Sequence, residues 1–282
     1  MPLSPSRADT GLVDADDAAR AVVDELGLPE PALVRRGSAT LFRAGGCAIR
    51  VEETTTALTD VSVRLRADGI PSPALLDGPR EVDGAVVTVW EWIDTTEQPD
   101  HHRLGALVAQ LGRLDATAYA VPSASWRVHD VLERRRPWPE PLPSPLRAAL
   151  DGVDQVLDAA TRATRSVLCH GDLHAGNVGW TEAGPVLFDW EFACRGPQWW
   201  DLVPIVGLDR VGLGGTHEAD ALLAGYGEDP RGRDEFEGLL RTYLAALTIG
   251  LVSRARRDPA AAAEAELRLR WWDGHPASWT AC

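Results

Sequence analysis

At 282 residues, with 45% hydrophobic and 25% charged side chains, the chain can form one large domain or two lobes, and its composition excludes a disordered or fibrous protein. Its formal net charge of −14 argues against a nucleic-acid partner, whose phosphates it would repel, and suits a cationic ligand. No run approaches the ~20 apolar residues of a bilayer span, and the opening Met1-Pro2-Leu3-Ser4-Pro5-Ser6-Arg7 lacks the apolar core of a signal peptide, so no membrane partner and a cytoplasmic location are expected.

From Asp14 an acidic first turn followed by Ala, Val and Leu, with Gly27 just beyond, predicts a short helix. Ala32-Leu33-Val34, Thr40-Leu41-Phe42 and Cys47-Ala48-Ile49-Arg50-Val51 then read as an antiparallel meander, turned at Gly37-Ser38-Ala39 and at Gly45-Gly46. Leu58, Val61 and Leu65 recur at helical spacing over 55–68, and two further strands are expected near 74–76 and 85–90, joined through Asp83-Gly84. Beyond Asp94 the periodicity is helical, with candidates at 101–120, 146–163, 217–226, 234–256 and 259–272; the Pro- and Trp-containing stretch 122–145 carries no assignable pattern. The four cysteines lack metal-ligand spacing, so reduced thiols and neither disulfide nor zinc are expected. All 28 basic residues are arginine, so any phosphate-binding cation must be an arginine.

One stretch interrupts the helices. Val167-Leu168-Cys169 leads into His170-Gly171-Asp172-Leu173-His174-Ala175-Gly176-Asn177, and Pro185-Val186-Leu187-Phe188 leads into Asp189-Trp190-Glu191. The His-x-Asp-x-x-x-x-Asn spacing matches the catalytic loop of protein kinases, in which the acid accepts the substrate hydroxyl's proton and the amide holds magnesium. Phosphoryl transfer needs an oriented hydroxyl and neutralised phosphate oxygens, and magnesium accepts one carboxylate and one amide when the triphosphate supplies other ligands. A zinc or iron hydrolase using His170, Asp172 and His174 is the rival reading, and it leaves Asn177 and Asp189 without a role.

The loop, with Phe188-Asp189-Trp190-Glu191 and Gly196-Pro197-x-x-Trp200-Asp201-Leu202, closely resembles the aminoglycoside phosphotransferase family, relatives of choline and homoserine kinases. The resemblance implies an α+β, protein-kinase-like two-lobe fold: residues 13–93 a nucleotide-binding lobe with a five-stranded antiparallel sheet, and 94–282 a mainly helical lobe carrying the catalytic loop and the acceptor-binding helices. It further implies Asp172 as catalytic acid/base, Asn177 and Asp189 as Mg2+ ligands, His170 as a scaffold of the loop and Asp201 as the carboxylate that ties it down. By the same likeness Arg50 is the phosphate-binding cation, with Asp60 the nearest acid in register as its partner; Ser38, Ala39 and Thr40 lie in the nucleotide loop, and Glu91 and Ile93 flank a hinge that meets the base. The implied activity is transfer of the γ-phosphate of ATP or GTP to a hydroxyl of a small molecule, an aminoglycoside-like antibiotic or amino sugar; the alternatives are a choline- or homoserine-like metabolite kinase and a non-catalytic relative, acting as monomer or homodimer.

Overall fold

The computed structural model describes residues 14–37, 39–52, 58–96, 98–138, 140–275 and 278–280. The chain divides into two compact units, Met1–Thr95 and Thr96–Cys282.

In the first unit, helix α1 (Ala15–Leu26) starts at Asp14, whose carboxylate accepts from the Asp16 amide, and stops at Gly27 with φ +65°. Strands β1 (Ala32–Arg36), β2 (Thr40–Ala44), β3 (Cys47–Glu52), β4 (Leu75–Val82) and β5 (Ala85–Glu91) form one antiparallel sheet in the order β1-β2-β3-β5-β4. Gly45 and the Asp83-Gly84 pair all take positive φ in the two tight turns, as the sequence predicted. Ala18, Ala19, Val22 and Val23 of α1 pack on Phe42, Ile49, Val51, Val87 and Val89 of the sheet. The alternation that buries Ile49 and Val51 there sends Arg50 to the other face, opposite Leu41 and Thr88. Helix α2 (Leu58–Ala67) lies within the predicted 55–68.

The second unit is mainly helical: α3 (His101–Leu111), α4 (Ala124–Glu133), α5 (Ser144–Asp151), α6 (Val153–Ala163), α7 (Val203–Arg210), α8 (Thr216–Tyr226), α9 (Asp234–Ala255) and α10 (Ala262–Trp272) surround two small antiparallel ribbons. The ribbons are β6 (Ser166–Cys169) with β9 (Cys194–Pro197), and β7 (Val178–Thr181) with β8 (Gly184–Leu187). Three helical expectations are corrected. The 101–120 helix ends at Gly112 and gives way to a 3₁₀ turn over Ala116–Ala118, capped by Asp115. The 146–163 helix is two helices broken at Gly152, and α4, hidden from periodicity between prolines, is capped by Ser123. Helix α9 is 22 residues long and passes the length and composition test for a membrane span, contrary to the expectation of no such stretch; packed by α4, α5, α6, α7 and α10, it is the core helix of its unit. Helices α3 and α8 cross so closely that a Cβ on Gly105 would lie 1.9 Å from the Leu222 carbonyl oxygen, which makes glycine obligatory there.

Candidate active site

The loop between β6 and β7 is built around His170, which is fully buried. Its backbone N–H and that of Gly171 donate to the two carboxylate oxygens of Asp201 at 2.7 and 2.8 Å. Gly171 takes φ +85°, and a Cβ there would lie 2.0 Å from the Phe192 carbonyl oxygen, so the chain can turn toward Asp172 only at a glycine. The His170 ring packs on Trp190 with centroids 4.6 Å apart. Its Nε2 meets the Phe188 carbonyl oxygen at 2.7 Å, which only an N–H can satisfy, and its Nδ1 accepts the Asp172 N–H at 3.4 Å.

A closed circuit of hydrogen bonds then joins two of the expected site residues, Asp172 and Asn177, to Phe188, which immediately precedes the third, Asp189. Asn177 Nδ2 donates to the Asp172 backbone oxygen at 2.9 Å and to Asp172 Oδ2 at 3.3 Å, which makes the amide oxygen the atom available to a cation. The Asn177 carbonyl oxygen accepts the Phe188 N–H at 2.9 Å, and Phe188 in turn accepts from His170. Asn177 directly precedes β7 and Asp189 follows β8 by one residue, so both stand at one end of the same ribbon, where Val178 pairs with Leu187. Asp189 takes φ +57°, ψ +68°, a left-handed conformation that Asp tolerates better than most residues and that costs of order 1 kcal/mol. Two oxygen donors at one ribbon end fit magnesium, which keeps waters and takes its other ligands from phosphates.

His174, whose role the sequence leaves open, stands beside Asp172. Its Nδ1 accepts the Gly176 N–H at 3.0 Å, leaving Nε2–H to face Asp172 Oδ2 at 3.5 Å. Nε2 of His170 and Nδ1 of His174 are committed to the backbone, which takes one ring nitrogen of each histidine from the metal set of the rival reading. Burial opposes ionisation of Asp172, but His174, His170 and the Asn177 amide outweigh it and hold the carboxyl below its ordinary range. A carboxylate so lowered keeps its ionised form until the pH falls through the lowered value. Replacing His174 with alanine is therefore expected to move the acidic limb of kcat/KM to higher pH, read from a profile that starts below the ordinary carboxylate range, at about pH 2.5, and runs to about pH 8; an unmoved limb would remove His174 from the site. Asp201 behaves oppositely: burial pushes its carboxyl up, against the pull of His170 and the two N–H groups.

Two side chains near Asp172 escaped the sequence reading. Tyr243, on α9, has its phenol pushed up by burial and by the Asp172 charge. Arg135, just past α4, has its guanidinium pushed down by burial while Asp172 pulls the other way. Tyr243 lies inside the expected 234–256 helix, where it carried no separate signal, and Arg135 lay in the unassigned 122–145 stretch.

In the first unit, Arg50 ion-pairs with Glu52 of its own strand, while Asp60, the expected partner, is exposed on α2. Ala39 is buried beside Thr40, the first residue of β2, and its carbonyl oxygen accepts the Gly37 N–H at 3.1 Å; Ser38 lies outside the described residues. Glu91 ends β5, with its carboxylate taking the Ala74 N–H at 3.2 Å and pairing with Arg66 at 3.4 Å, and half-buried Ile93 follows.

An acid hydrogen-bonded to an amide at the end of a strand ribbon is compatible with phosphorylation of an alcohol, the chemistry of the small-molecule kinases. The chain belongs to the phosphotransferase enzyme family (APH), whose family model matches residues 36–239. No curated protein matches it. Among solved structures it is similar to a choline/ethanolamine kinase family protein from Mesorhizobium loti, at 20% identity and TM-score 0.68 over 92% of this chain and 93% of that one. Aminoglycoside phosphotransferase APH(3'')-Id from Streptomyces rimosus is 17% identical, with TM-score 0.64 over 83% and 99% of the two chains. Spectinomycin phosphotransferase APH(9)-Ia, in complex with ADP and spectinomycin, is 17% identical, with TM-score 0.60 over 92% and 95%. At these identities the likeness speaks for the protein-kinase-like fold.

Proposed function

We propose that this kinase transfers the γ-phosphate of ATP or GTP, as its magnesium complex, to a hydroxyl of a small molecule that Asp172 orients. The observation that carries the reading is the hydrogen-bonded circuit Asp172–Asn177–Phe188–His170, which gathers the acid, the amide and the ribbon end bearing Asp189. Asp172, ionised and partly exposed, accepts the hydroxyl's hydrogen and aligns its oxygen with the phosphorus. Asn177, through its amide oxygen, and Asp189 are the residues that would hold Mg2+, which when bound neutralises phosphate charge. In the first unit, Arg50 is the proposed cation for the triphosphate, the Gly37–Thr40 turn the proposed phosphate loop, and the backbone at Glu91 and Ile93 the proposed contact with the base.

The first acceptor class to test is an amino sugar or related antibiotic, because two of the similar structures are antibiotic phosphotransferases; activity there would make resistance the biological role. A hydroxylated metabolite is the second reading, supported by the likeness to a choline/ethanolamine kinase family protein. The proposed setting is the cytoplasm. Replacing Asp189 with alanine is expected to weaken nucleotide binding in the presence of magnesium by about tenfold or more, with little change in EDTA. Calorimetric titration of ADP with and without the metal reads this, and equal loss under both conditions would show Asp189 to be structural.

A further inference from the structure

The ribbon of β7 and β8 bears Asn177 and Asp189 at one end, and a two-stranded ribbon alone is at best marginally stable in water. Its remaining length is fastened to the stretch that opens the second unit. The Thr96 N–H donates to the Trp180 carbonyl oxygen at 2.6 Å. The ring of His101, the first residue of α3, packs on the Trp180 ring with centroids 5.2 Å apart and planes inclined by 55°. Beyond the end of β7, Arg103 Nη1 donates to the Glu182 carbonyl oxygen at 3.4 Å, and the Arg103 side chain lies 3.8 Å from the place a Cβ of Gly184 would occupy. Backbone, ring and guanidinium therefore meet the ribbon at Trp180, Glu182 and Gly184.

This strap is itself held. Asp100 caps α3 by accepting the Arg103 N–H at 2.9 Å, and its carboxylate pairs with Arg103 Nε at 3.4 Å. Buried Leu104, Leu107, Val108 and Leu111 anchor α3 in the unit, and Gly105 admits α8 at close range. Burial lowers the His101 imidazole, so at neutral pH its ring stacks on Trp180 without a charge to desolvate. Asn177 lies three residues before Trp180, about 10 Å along an extended strand. Over that lever a tilt of about 6° moves the end of the ribbon by about 1 Å, whereas magnesium demands near-ideal contacts at about 2.0–2.1 Å. The aim of the ribbon therefore governs both proposed ligands together.

We propose that His101 and Trp180 are positioning residues for the metal site: their packed rings, with the Thr96–Trp180 bond, fix the tilt of the ribbon so that Asn177 and Asp189 present their oxygens to one magnesium ion. The inference rests on the kinase reading above, in which those two residues hold the metal. It adds that the metal site is set from the far side of the ribbon, by the start of α3, as well as by the hydrogen bonds at its root.

The test titrates ADP calorimetrically into the full chain and its His101→Ala, Trp180→Ala and Trp180→Phe variants, each with magnesium and with EDTA. One aromatic contact corresponds to about two- to tenfold in an equilibrium. The gain in ADP affinity that magnesium gives is therefore expected to shrink about threefold or more in both alanine variants, with affinity in EDTA within about twofold of wild type. Phenylalanine keeps a ring against His101 and is expected to recover most of the gain. A merely structural contact would lower stability, or lower affinity equally with and without the metal, and leave the gain untouched. A wild-type gain in His101→Ala, which retains every ribbon residue, overturns the inference even where Trp180→Ala fails to fold, and so does loss of the gain in Trp180→Phe. Failure of the kinase reading looks different: the wild type itself would bind ADP equally in magnesium and in EDTA, and the inference would fall with it.

Discussion

Replacing Asp172 with alanine is expected to lower kcat about 10²–10⁴-fold, the range that positioned acid–base groups contribute, while MgATP affinity stays within about twofold. The separation follows from the local bonding. Asn177 Nδ2 is anchored by the Asp172 backbone oxygen at 2.9 Å as well as by the carboxylate at 3.3 Å, so the loop keeps its strongest tie when the side chain is lost. The Asp172 N–H bond to His170 and the Asp201 bonds to the preceding residues are likewise made by the backbone. What disappears is the ionised carboxylate proposed to receive the hydroxyl. Steady-state kinetics with any productive acceptor, paired with MgADP titration, checks both halves. Near-wild-type turnover would show that the hydroxyl is aligned elsewhere, and loss of nucleotide binding would mean that Asp172 holds the metal.

The second large effect is on stability. Asp201 is 3% exposed, and its carboxylate satisfies two backbone N–H groups at once. Alanine would leave both donors buried without an acceptor, at about 1–3 kcal/mol each, so a loss of about 2–6 kcal/mol is expected. Against a typical total of about 5–15 kcal/mol, the variant should unfold at markedly lower denaturant concentration and lose activity through the distorted His170–Gly171 turn. Asparagine, with one acceptor oxygen in nearly the same volume, should recover part of the loss. Equilibrium denaturation of the three proteins reads the order wild type, Asp201→Asn, Asp201→Ala; a variant as stable as wild type would mean that water reaches these N–H groups.

The turn of the His170–Asn177 loop was legible because its motif is written in contiguous residues. A turn that must pass Gly171, an acid two residues after a buried histidine and an amide five residues further constrain one another locally, and the residue types themselves name the reaction. The sheet of the first unit was legible for a related reason: period-two burial and turns at Gly45 and Asp83-Gly84 are short-range signals. Helix ends fared worse. The apolar periodicity runs straight through Gly112 and Gly152, where the backbone ends one helix and starts the next element. Helix α4 is framed by prolines and offers few periodic apolar residues, so Arg135 and its neighbours were not placed.

By itself, then, the order of residues determined the phosphotransferase family, the antiparallel sheet of the first unit and the local turn of the His170–Asn177 loop. Only tertiary structure decided that Tyr243 of α9 and Arg135, just past α4, come within reach of the Asp172 charge, although both lie tens of residues from it along the chain. The physical reason is range. Turn geometry and hydrogen bonding within a loop depend on neighbours a few residues away, whereas the charge a side chain meets depends on which helix packs against it, and that is settled by burial of apolar faces that carry no label for their partner.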